Sequence, residues 1–239
     1  MTFCTDLARR KAFKLSFMGL WLLSVAVLAG ASAQGSGGVP DINRPFVNPD
    51  FAEWLERFER PGREVYDRRF QIVAATGVKA DMAVADIGAG TGLFTRLFAD
   101  KVGKAGRVYA VDISRVFVDN IVRISRELGQ THVQGIVNSS SDAYLPPHSI
   151  DLAFICDTYH HFDHPRAMME SIRRALKPGG SVVIVDFRKV PGLTTPWIMG
   201  HVRANEELVV QEIEAAGYRL VEDRDFLRTN YFLRFVPSQ

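Results

Sequence analysis

Cysteine is nearly absent: Cys4 and Cys156 are the only two in 239 residues. Neither has a neighbouring cysteine or a ligand-spaced partner, which excludes a disulfide framework and a zinc cluster built on cysteine. An excess of one charge is lacking too, with 29 Lys+Arg against 27 Asp+Glu. The small positive surplus lies in residues 1–33, where Arg9, Arg10, Lys11 and Lys14 face only Asp6. Without them the chain carries one net negative charge, so composition gives no basic surface for nucleic acid. Internal repeats are missing as well. The apolar content of 47% is that of a packed globule.

One long hydrophobic run is present, from Leu15 to Gly30, behind the basic patch and ahead of "ASAQ". Ala31 and Ala33 occupy the small-residue positions of a signal-peptidase site, so residues 1–33 are expected to be a cleaved export signal. The expected location is periplasmic or secreted. The alternative is an uncleaved anchor that keeps the protein near the membrane, since Leu15–Ala33 is just long enough to span. The pair Arg9–Arg10 also partly resembles a twin-arginine signal. Residues 34–49, rich in Gly, Pro and Asn, read as a linker. Residues 50–80 read as two helices broken at Pro61–Gly62, with Phe51, Trp54, Leu55 and Phe58 at helical spacing. Helices so placed can pack as core or lie across a site as a lid.

From residue 81 short apolar runs alternate with helical segments near 93–102, 114–128, 165–176 and 203–216. Strands that are continuously apolar predict a parallel sheet covered on both faces. The last two runs, "YRLVEDRDF" and "NYFLRFV", leave no room for a helix between them and should pair antiparallel.

The first strand, "MAVADI", turns through "GAGTG" into a helix, which puts Gly88, Gly90 and Gly92 at the carboxyl end of a strand, where open α/β sheets bind ligands. Leu93 follows, so the last glycine of the dinucleotide pattern G-x-G-x-x-G is missing. Asp86 would repel a pyrophosphate at that place. S-adenosylmethionine (SAM), with an ammonium, a sulfonium and no phosphate, suits Asp86 instead. Asp112, ending the second strand, is placed for a ribose, and Asp142 for an adenine amino group or a turn.

"VADIGAGTG", "YAVDI", "SDAYLP", "IDLAFICDTYHHF" and "RRALKPGG" follow one another as in class I SAM-dependent methyltransferases. The chain resembles the small-molecule branch that includes quinone-type enzymes, over about residues 65–236. The resemblance implies an α/β, Rossmann-like, doubly wound seven-stranded sheet, mostly parallel with an antiparallel C-terminal strand, over a domain at 81–239. It implies SAM as cofactor, held by Asp86, Gly88, Ala89, Gly90 and Gly92 at the methionine part and Asp112 and Ile113 at the ribose. It also implies Asp142 and Ala143 at the adenine, and Asp157 beside the methyl-transfer site.

"CDTYHHFDHP" carries the densest chemistry. Its imidazoles and carboxylates invite a metal. Adjacent histidines in a turning loop need not converge, however, so no metal is expected. Tyr159, His160 and His161 are the candidate catalytic residues, facing a small-molecule acceptor. Trp197, Met199 and His201 are candidate linings of the acceptor pocket. The expected activity is SAM-dependent methyl transfer. An exported SAM-binding protein without turnover and an aminopropyl transferase are the alternatives.

Overall fold

The computed structural model describes residues 42–238, so the leader and residues 34–41 of the linker lie outside the described residues. A 3-10 turn at Arg44–Phe46 precedes helix α1 (Phe51–Phe58), which is capped by Asp50 accepting from Ala52 N and Glu53 N. After Pro61–Gly62 come α2 (Glu64–Asp67) and α3 (Arg69–Ala75). The expected break is present, and the second expected helix is itself split at Arg68.

The sheet strands are β1 (Ala83–Ile87), β2 (Arg107–Asp112), β3 (Val133–Val137), β4 (Ile150–Cys156), β5 (Leu176–Phe187), β6 (Tyr218–Asp223) and β7 (Asn230–Pro237). Their order across the sheet is β3-β2-β1-β4-β5-β7-β6. The first five are mutually parallel, and β7 runs antiparallel to both of its neighbours. This is the expected doubly wound sheet. The chain reverses its direction of travel between β1 and β4, which creates the crevice where such sheets bind ligands.

Helices α4 (Leu93–Val102), α5 (Arg115–Glu127), α6 (Pro165–Ala175), α7 (Pro196–His201) and α8 (Glu206–Ala215) connect the strands. The two-residue period of each strand sorts its side chains between two cores. Val84, Val108, Phe154 and Val183 pack with Phe94 and Phe98 of α4 and Ile72 of α3. Ala85, Val111, Ile155 and Ile184 pack with Met169 and Ile172 of α6 and Ile213 of α8. By this alternation Asp86 joins Val84 on the α4 side. β5 begins five residues earlier than its apolar run, because Leu176 pairs with Ile150 before the register shifts to Leu152 against Ser181. The segment "KPGG" is the irregular excursion between those pairs.

Candidate functional site

Four carboxylates gather at the carboxyl ends of four adjacent parallel strands. Asp86 sits on β1, Asp112 ends β2, Asp157 follows β4, and Asp186 is next to last in β5. An edge so rich in buried acid disfavours phosphate and favours a cationic ligand.

Asp86 is buried and accepts a 2.6 Å hydrogen bond from Thr95 Oγ1 of α4. Burial, with a smaller push from Asp112, raises its carboxyl to about 7. Asp112 accepts from Gly90 N at 2.9 Å and Ser114 N at 2.8 Å, so it shapes the glycine loop. Burial lifts it to about 6 against those two bonds. The loop itself needs glycine: Gly88 has a φ of +70°, and a Cβ there would overlap Thr158. Gly92 has a φ of +82° and starts α4.

Asp157 has a φ of 47°, a left-handed conformation that Asp tolerates better than most residues. Its two oxygens accept from Arg63 Nη2 and Asn230 Nδ2, both at 2.7 Å. Burial still raises its pKa, with Arg63 opposing. Arg63 reaches it from the segment between α1 and α2. Glu59, at the end of α1, accepts from Arg96 at 2.7 Å and from Thr91 at 2.8 Å. The Phe58 ring lies against Gly90. The end of α1 and the segment after it are therefore bonded to the glycine loop, to α4 and to Asp157. Within the stretch expected as linker, Phe46 packs on Trp54 at 4.6 Å, and Asn43 bonds His161.

His160 follows β4 in a 3-10 turn and is 3% exposed. Its Nδ1 lies 2.8 Å from Asp186 Oδ1. The ionised carboxylate can only accept, so the proton belongs on Nδ1. Nε2 is buried and finds no hydrogen-bond partner among the described residues. Burial opposes a charge on the ring, yet Asp186 raises its pKa, and His160 in turn holds Asp186 below its usual value despite burial. His161 Nδ1 lies 2.9 Å from Asn43 Oδ1. Burial, then His160 and His201, push His161 down to about 3. Burial and His160 also lower His201, which stacks on Trp197 at 4.4 Å.

These groups share a cavity of about 1090 Å³, which runs from Asp86, Gly88 and Asp112 to His160, His161, Trp197 and His201. Ala89, Gly90, Ile113 and Asp157 line it as well. Three groups of expected residues lie outside this lining. Tyr159 points away: it is fully buried in the core, and its hydroxyl donates to Glu212 on α8. Asp142 and Ala143 are not among the lining residues. Asp142 bonds Tyr144 N and Arg174, Ala143 is core, and Asn138, Ser139 and Ser140 line the cavity in that region. Met199 likewise turns to Thr194 rather than to the cavity.

Sequence reading also missed several residues. Asp186 closes a strand in the same way as "VADI" and "AVDI", and that shared ending was the available signal. Glu59, Arg63 and Arg96 had none, because exposed helix charges look the same in sequence. Asn43 was hidden in an irregular stretch.

Comparison with known proteins finds methyltransferases. A protein-family model described as "Methyltransferase domain" matches residues 85–184. This region matches a methyltransferase. The matched methyltransferase region holds the glycine loop, Asp112 and both loop histidines, and it stops short of Asp186 and His201. Two curated relatives, from Hydrogenovibrio crunogenus and Burkholderia vietnamiensis, are each described as ubiquinone/menaquinone biosynthesis C-methyltransferase UbiE. Both are 32% identical, over 124 and 123 residues, which is 49% of this chain and 47% and 48% of theirs. The chain thus spans about half the length of the curated relatives it matches. The crystal structure of a SAM-dependent methyltransferase from Aquifex aeolicus covers 78% of this chain and 97% of its own, with a TM-score of 0.69 at 24% identity, and shares the fold. The methyltransferase match implies SAM as the cofactor.

Proposed function

We propose that the protein transfers the methyl group of SAM to a small acceptor bound at the histidine end of the cavity. The observation that carries this reading is one continuous space with an acidic, glycine-lined end and a histidine-lined end. Its roughly 1090 Å³ exceeds what one drug-sized ligand usually fills, leaving room for cofactor and acceptor together. Asp86 would meet the ammonium, the loop from Gly88 to Gly92 the methionine backbone, and Asp112 with Ile113 the ribose. Asn138, Ser139 and Ser140 then take the adenine end in place of Asp142 and Ala143.

The sulfonium already activates the methyl carbon, so the enzyme's main task is alignment, which can contribute about 7–11 kcal/mol. His160, oriented by Asp186, is the group placed to accept a proton from the acceptor, worth about 10²–10⁴-fold. The curated relatives act in ubiquinone and menaquinone biosynthesis, which makes small aromatic and quinol-like compounds the first acceptors to assay. Neither aminopropyl transfer nor cofactor binding without turnover draws support from the comparisons. Export through residues 1–33 is part of the proposal.

The test has two arms. Calorimetry should show SAM or its demethylated product binding the full chain, and Asp112→Ala should weaken binding at least tenfold. That substitution removes charge-assisted hydrogen bonds worth about 1.5–3 kcal/mol each. Labelled-methyl transfer to an aromatic acceptor should be slow in His160→Gln while SAM affinity is retained. Absence of SAM binding in the wild type would sink the proposal.

A further inference from the structure

Three histidines converge at the acceptor end, two from the loop expected to hold no metal and one from outside it. His160 and His161 come from the turn after β4, and His201 from α7, 40 residues later. Their ring centroids lie 4.2, 5.1 and 5.2 Å apart. One nitrogen from each can be chosen so that all three lie within 4.8 Å of one another.

The tautomers are set by the surroundings. Asp186 holds the proton of His160 on Nδ1. Asn43 does the same for His161. Its Nδ2 donates to His161 O at 3.0 Å and Asp163 Oδ1 at 3.2 Å, which leaves Oδ1 to accept from His161 Nδ1. Both rings therefore present a bare Nε2. That of His160 is buried and meets no hydrogen-bond partner among the described residues, which is costly for a polar atom. A carboxylate behind one imidazole and an amide oxygen behind another is the outer arrangement that orients metal-bound histidines and raises their basicity.

We infer that His160, His161 and His201 form a binding site for a divalent transition-metal ion of the zinc class, at the acceptor end of the cavity. Three imidazole nitrogens suit Zn²⁺ and its neighbours rather than Mg²⁺ or Ca²⁺, which take oxygen ligands. Metal–nitrogen distances of about 2.0–2.1 Å require nitrogens about 3.3 Å apart in a tetrahedral site. His201 can supply the needed approach, since it is partly exposed on the short helix α7. Three protein ligands leave a fourth position open to the cavity, where an acceptor oxygen could bind. Asp186 and His201 both lie beyond the segment that the methyltransferase match covers, so the match does not account for the cluster.

The inference rests on the proposed function only for the identity of the acceptor end, and its test needs no turnover. A metal ion and a proton are alternatives at His160 Nε2, so the metal-loaded and metal-free proteins would activate an acceptor hydroxyl differently. The full chain, treated with chelator and desalted, is titrated with Co²⁺ at pH 7.5. About one Co²⁺ per chain should bind with intense visible ligand-field bands, and Zn²⁺ should abolish them. His161→Ala and His201→Ala should each weaken binding at least tenfold, and Asp186→Asn by about 10–100-fold. His164→Ala, an exposed histidine outside the cluster, should change nothing. SAM affinity and a cooperative thermal transition show whether each variant folds.

Co²⁺ binding that is absent, or that survives His201→Ala and His161→Ala unchanged in folded protein, overturns the inference. If SAM binds and Co²⁺ does not, the metal site falls and the methyl-transfer reading stands. If Co²⁺ binds and SAM does not, the reverse holds.

Discussion

Asp86 is a buried acid that forms no ion pair among the described residues. Its one side-chain hydrogen bond, from Thr95, leaves its carboxyl at about 7 instead of 3.8. A raised folded-state value means that the unliganded fold is stabilised with Asp86 protonated and loses that contribution as pH rises through about 7. The ligand reverses the preference, because an ammonium needs the ionised form. SAM affinity should therefore fall as pH drops below about 7, approaching tenfold per unit. Asp86→Asn should bind weakly at pH 7.5 and show a flatter profile between pH 5.5 and 7.5. Calorimetry across that range checks it, and a variant with the wild-type slope would move the titration to Asp112, whose value is about 6. At this scale the sequence was legible where position along a strand decides the outcome, as for Asp86 and Asp112. It was opaque where the rotation of a turn decides. Tyr159 and His160 are adjacent, yet one packs toward α8 and the other toward the cavity.

Helix α1 shows what short elements contribute when their ends are bonded. Its eight residues have none buried, so packing alone holds it weakly. Glu59 compensates by joining Arg96 and Thr91, next to the glycine loop. Hydrogen bonds to a charged group contribute about 1.5–3 kcal/mol. Glu59→Ala should speed trypsin cleavage at Arg57 and Arg60 and weaken SAM affinity about tenfold, since 1.4 kcal/mol is a factor of ten. The thermal midpoint should change little, because no residue of α1 belongs to either main core. Cleavage at the wild-type rate would show that Phe58 on Gly90 and Trp54 on Phe46 suffice to hold the helix. The helix and the break after it were readable from Trp54, Phe58 and Pro61–Gly62. Its attachment was not, because an ion pair between residues 59 and 96 has no local pattern.

Across the whole molecule, the succession of strands and helices was the most legible feature, since continuous apolar runs and a closing hairpin admit few fold classes. The sheet then brings together residues as distant as Asn43, Asp86, Asp186 and His201, which no local reading could join. One consequence concerns compartment. SAM is made in the cytoplasm, whereas residues 1–33 are proposed to direct export. A chain that carries its cofactor outward must fold first, and the bonds of Glu59 and Arg63 would help retain a bound ligand. The proposal predicts that protein recovered outside the cytoplasm begins at Gln34, and that Ala33→Leu blocks this processing. N-terminal sequencing of exported and cell-retained fractions checks it. Recovery of intact chains beginning at Met1 in the membrane fraction, with no Gln34 form, would make the leader an anchor and place methyl transfer at the membrane surface. If processing does occur, mass spectrometry of the Gln34 form should find SAM or its demethylated product still bound, because export before folding would leave the cavity without a source of cofactor.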